Sequence, residues 1–116
     1  MTMRAWLVLL ALAIVVPAWA KPSPKAVASE AYKTAQAYFK EREFAKALAS
    51  YEVAEAAVPH PSTKYMIAVC RDKLGNLTEA VAAYQRFLDS KPDPKRMADA
   101  IRDARARLEM LRKTPR

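Results

Sequence analysis

Shifted by 33 residues, this chain lies over itself. Phe44 falls on Leu77, Ala47 on Ala80, Leu48 on Val81, Tyr51 on Tyr84 and Pro59 on Pro92. In the stretch before, Tyr32 falls on Tyr65, Ala35 on Ala68 and Lys40 on Lys73. A period of this size marks a stack of supersecondary units, none of which can bury its apolar side alone. It fixes the architecture more tightly than composition does.

Proline punctuates the chain at the same interval. Pro22-Ser23-Pro24, Pro59-His60-Pro61 and Pro92-Asp93-Pro94 each precede a helical stretch. Proline suits the first helical turn, where its missing N–H has no partner to lose, and it pushes the preceding residue out of the helical region. Each Pro-x-Pro therefore ends one helix and opens the next, with Ser23 and Asp93 placed as N-caps.

Between these markers apolar residues recur at helical spacing: Phe44, Ala47, Leu48, Tyr51 and Val58 in one unit, Leu77, Ala80, Val81, Tyr84 and Leu88 in the other. Inside the second unit Lys73-Leu74-Gly75-Asn76-Leu77-Thr78-Glu79 places the sole glycine at a helix end, and Asn76 with Glu79 has the spacing of a capping box. Beyond Asp93 the pattern becomes Met97, Ile101, Ala104, Leu108 and Leu111, one face of a single closing helix. These signals predict an all-α chain: two helix-turn-helix repeats at about 28–60 and 61–93 and a capping helix at about 94–113, an α-solenoid fragment. The alternative for the last segment is a coiled-coil seam that makes a homodimer.

These residues resemble the tetratricopeptide repeat. That family's pattern is met by Gly75, Leu77, Ala80, Tyr84 and Pro92 in the second unit and by Phe44, Ala47, Tyr51, Ala54 and Pro59 in the first, with Tyr38 as the aromatic of the first leading helix. Arg42 replaces the turn glycine of the first unit, Arg71 stands where the second leading helix would carry an aromatic, and Ala35 and Ala68 replace another glycine. The resemblance implies a concave groove lined by the leading helices. Facing it would be Tyr32, Gln36, Phe39 and Lys40, then Tyr65, Val69, Asp72 and Lys73. Some relatives clamp a chaperone's terminal carboxylate with a Lys/Asn set, which Tyr32 and Gln36 interrupt here.

Residues 1–20 read differently. One positive charge at Arg4, an apolar run from Ala5 to Val16 and the small-x-small end Ala18-Trp19-Ala20 predict an export signal cleaved after Ala20, and a periplasmic or secreted product. The apolar run is too short to cross a bilayer, which takes roughly 20 residues.

Chemistry has few candidates. His60 is the sole histidine, placed in a solvated loop between two prolines, and no His/Cys/carboxylate cluster has metal-ligand spacing. One glycine cannot make a phosphate-cradling loop, and no Gly-x-Ser-x-Gly elbow is present. Cys70, the single cysteine, is expected as a small buried hydrophobe, with a reactive thiol as the lesser reading. Neither enzyme activity nor a cofactor or metal is expected.

The formal charge of +8 would raise nucleic acid as a partner in a cytosolic protein. Export turns the expectation toward an acidic protein or peptide, with no nucleic acid and no small-molecule substrate, and secondarily toward an anionic envelope polymer or lipid. On the closing helix Asp103 with Arg107 and Glu109 with Lys113 stand at i,i+4 spacing and read as solvated pairs.

Overall fold

The computed structural model describes residues 17–114, so most of the expected export signal lies outside the described residues. After a 3-10 turn at Ala18–Ala20, five helices follow: α1 (Pro24–Lys40), α2 (Phe44–Ala57), α3 (Pro61–Lys73), α4 (Leu77–Asp89) and α5 (Ala98–Lys113). Each packs on the next in order, and no strand occurs among the described residues. The all-α reading and the paired-helix plan hold. None of the described helices is long and apolar enough to cross a membrane.

The starts of the helices follow the prolines. Ser23 Oγ accepts the Ala26 N–H at 3.1 Å, and Pro24 opens α1. At α3 the cap is His60, whose Nδ1 accepts the Ser62 N–H at 3.0 Å. That histidine is exposed as expected, but it is not idle. Asp93 Oδ1 accepts the Lys95 N–H at 2.8 Å and caps an irregular turn, from which regular α5 begins only at Ala98. The expected capping box at Asn76 does not form. Its N–H is spent on Arg71 C=O, and its backbone at φ −81°, ψ 71° lies outside the extended region from which an N-cap side chain reaches inward.

The ends of α1 and α3 are the same motif. Gly75, at φ 77°, donates to Asp72 C=O, while Asn76 donates to Arg71 C=O, closing the last turn of α3 with two backbone bonds. Thirty-three residues earlier, Arg42 at φ 60° donates to Phe39 C=O and Glu43 to Tyr38 C=O. Arg42 thus takes the glycine's left-handed conformation with a side chain attached. Lys91, after α4, is the third left-handed residue, at φ 54°.

Two cores result. One gathers Ala35 of α1, Ala47 and Tyr51 of α2 and Cys70 of α3; the other gathers Ala68 of α3, Ala80, Ala83, Tyr84 and Phe87 of α4 and Ala104, Leu108 and Leu111 of α5. The alanines that the repeat superposes, Ala35 with Ala68 and Ala47 with Ala80, have no exposed surface. A larger side chain at these crossings would hold the helices apart, so the small residue sets the interaxial distance. Phe87, the counterpart of Ala54, is fully buried against Tyr65, with ring centroids 5.2 Å apart. Burying such a ring contributes about 2–3 kcal/mol. Val58, expected on the inward face of α2, is instead the exposed residue that ends it.

Candidate functional site

Helices α1, α3 and α5 are tied side to side by a row of polar bonds. Tyr32 Oη and Ser62 Oγ lie 3.0 Å apart and join α1 to α3. Tyr65 Oη donates to Asp103 Oδ2 at 2.6 Å and joins α3 to α5. One and two turns further on, Arg107 of α5 grips Asp72 of α3 with Nε on Oδ2 and Nη2 on Oδ1, both 2.8 Å. Asp72 Oδ2 also accepts the Tyr84 hydroxyl at 2.9 Å, so α4 shares the same carboxylate.

Two recesses open on either side of the Tyr65–Asp103 bond. The larger, of about 760 Å³, lies between the starts of α3 and α5 and is lined by His60, Ser62, Tyr65, Arg96, Met97 and Asp103 among others. The smaller, of about 450 Å³, is lined by Tyr65, Val69, Asp72, Lys73, Tyr84, Asp103 and Arg107. All four groove residues expected from the second repeat therefore meet in one concavity. In the first repeat Tyr32 sets its ring edge-on to Tyr51 (5.3 Å) and Phe39 sets its ring on Phe44 (5.2 Å), both half-buried, while Gln36 and Lys40 stand exposed.

Asp103 and Arg107 were expected to pair with each other along α5. Instead both turn to α3. The tertiary partners win because Tyr65 and Asp72 are partly desolvated, and a charge-assisted bond there is worth more than a solvated i,i+4 pair. Glu109 and Lys113, which face solvent, do form their pair at 2.9 Å.

Electrostatics follow from the geometry. Burial raises the pKa of Asp72, but hydrogen bonds from Arg107 and Tyr84 and the charges of Arg107 and Lys73 outweigh it, and the carboxyl sits below its ordinary range. Burial, then the bond to Asp72, pushes the Tyr84 hydroxyl well above its ordinary value. Tyr65 is raised by burial and then by its bond to Asp103. All of these hold their ordinary charge at neutral pH: the recess offers fixed dipoles and one bound ion pair. Lys73, exposed at its rim, is the cation left to meet a guest.

Cys70 lies on the other side of α3, fully buried, its thiol pushed up to about 11 by burial. Among the described residues no three His, Cys, Asp or Glu side chains are grouped so as to hold a metal ion.

Residues 20–87 match a protein family described as "Anaphase-promoting complex, cyclosome, subunit 3", a tetratricopeptide-type repeat family. The chain belongs to that family. The match runs from Ala20, just before α1, through Phe87 of α4 and stops short of α5, the helix that supplies Asp103 and Arg107. Neither the curated proteins nor the solved structures give a match. Repeats of this family's type generally bind protein partners and are generally not catalytic. Stacks of such repeats present an extended concave surface for binding.

Proposed function

We propose that the chain is an exported, non-catalytic adaptor that docks a protein or peptide partner along the face formed by α1 and α3. The observation that carries this is the convergence of Tyr65, Val69, Asp72 and Lys73 on one recess whose walls are already fixed by Arg107 and Tyr84. A pre-set surface loses little freedom on binding, and aromatic faces beside lysine suit a peptide carrying acidic groups. Lys40 and Lys73 stand at equivalent positions of the two repeats, so they space two positive charges along the face.

The test is a crosslinking capture from native envelope, comparing wild type with a Lys40→Glu, Lys73→Glu double variant and a Tyr65→Ala, Lys73→Ala double variant. Loss of one defined partner from both variants, with helicity by circular dichroism retained in the first, supports the reading. Retention of that partner by both overturns it. A wash at about 0.5 M salt, where the screening length falls to a few ångströms, separates a docked protein from loose attachment to an anionic polymer.

Export rests on the charge, apolar run and small-x-small end of residues 1–20. Both tryptophans of the chain, Trp6 and Trp19, lie in that segment. The exported product should therefore emit as a tyrosine protein. Indole emission from protein recovered outside the cytoplasm would show that the segment is kept.

A further inference from the structure

The 33-residue register continues into α5. Tyr32, Ala35, Gln36 and Phe39 of α1 correspond to Tyr65, Ala68, Val69 and Asp72 of α3, and these to Ala98, Ile101, Arg102 and Arg105 of α5. In α1 this stripe faces its trailing helix, with Tyr32 on Tyr51 and Phe39 on Phe44. In α3 it does the same, with Tyr65 on Phe87 and the Asp72 carboxylate on Tyr84. By register, α5 is therefore the leading helix of a third unit. Among the described residues no helix covers the matching stripe.

That seat is a visible cleft. Leu88 and Ile101 form its floor in a hollow of about 680 Å³, and beyond Arg105 a second hollow of about 320 Å³ is edged by Glu109 and Arg112. Its rim is cationic. Asp99 and Glu109 are each taken up by a neighbour, Arg102 and Lys113. Lys91 and Arg105 form no ion pair among the described residues, and Arg112 bonds only to the neutral Gln85.

We propose that this seat takes an acidic amphipathic helix of a partner protein, lying where a trailing helix would lie. Its apolar stripe covers the partly exposed Leu88 and Ile101, and its carboxylates meet Lys91, Arg105 and Arg112. The register specifies a helix as the occupant, and charge complementarity specifies its sign. A second copy of this chain is a poor occupant, because two such faces would bring like charges together. The seat uses neither Lys40 nor Lys73, so it stands or falls apart from the face formed by α1 and α3.

The test uses the full chain and a labelled synthetic helix with leucines at i, i+3, i+4 and i+7 and glutamates on both flanks, read by fluorescence anisotropy. A charge-reversed helix with lysines and a scrambled glutamate peptide are the controls. The acidic helix should bind at least about tenfold tighter than either control. A Lys91→Glu, Arg105→Glu double variant should lose at least about tenfold, while Arg105→Lys and the distant Lys33→Glu stay within about threefold. Circular dichroism should show each variant still folded, since both altered side chains are exposed. Equal binding of all three peptides, or no effect of the double variant, overturns the proposal. So does a dimer in light scattering that the double variant dissolves, or capture of anionic vesicles in preference to the acidic helix.

Discussion

Arg107 and Asp72, 35 residues apart in the chain, meet through two parallel hydrogen bonds of 2.8 Å. The pair fastens α5 to α3, which share no continuous stretch of chain, and its carboxylate is only 13% exposed. Removing one partner leaves the other charge partly desolvated. Arg107→Ala should therefore cost about 1–2 kcal/mol, discounted for the exposed side of the guanidinium. Arg107→Lys should recover only part of this, since an ammonium cannot make the fork. Urea unfolding of the three proteins checks both, and equal midpoints would show that the pair adds nothing.

The same carboxylate sets an acid limb. Its folded pKa is depressed below the unfolded value of about 3.9, so its contribution is complete above that pH and is lost as pH falls through the lower folded value. Wild type should keep its advantage over Asp72→Asn from neutral pH down to about pH 4 and lose it as the pH falls on through the depressed folded value. A stability gap that stays constant over this range would mean that the charge on Asp72 is not what holds α5.

Arg42 and Gly75 occupy one backbone position in two repeats, at φ 60° and 77°. An L-residue is disfavoured there by about 1 kcal/mol or somewhat more, so Arg42→Gly should stabilise the chain by roughly that amount. Gly75→Arg should cost about as much, and for a purely conformational reason, because a Cβ at Gly75 meets nothing within 4 Å. Thermal melts of the two variants should shift in opposite directions.

Cys70 is sealed among Ala35, Ala47 and Tyr51, with its thiol raised to about 11. Alkylation by iodoacetamide near pH 8 should proceed only as fast as the fold opens, and urea should accelerate it steeply. Fast labelling of the native protein would place the thiol at the surface.

Much of this was legible beforehand. The paired helices, Gly75 at the end of α3, the alanines at the crossings and the Met97-to-Leu111 face of α5 follow from spacing and turn chemistry, which are local. The family resemblance put Tyr65, Val69, Asp72 and Lys73 together on one side of α3, and all four line a single recess. What could not be read was the partner across the gap. Asp103 and Arg107 carry a complete local explanation in their i,i+4 spacing, and only the rotation of α5 about its axis shows that they turn to α3. His60 as a cap was hidden for a similar reason: imidazole is an uncommon N-cap, and its position before Pro61 was the signal. The register of α5 with α1 and α3 was present in the numbers, but it acquires meaning only once Tyr65 and Asp72 are seen against α4.

Helix α3 belongs to both cores, giving Ala68 to one and Cys70 to the other, with Ile67 bordering each. It therefore acts as the molecule's keystone. Damage to α1 falls on one side only, whereas a fault in α3 would reach both ends at once.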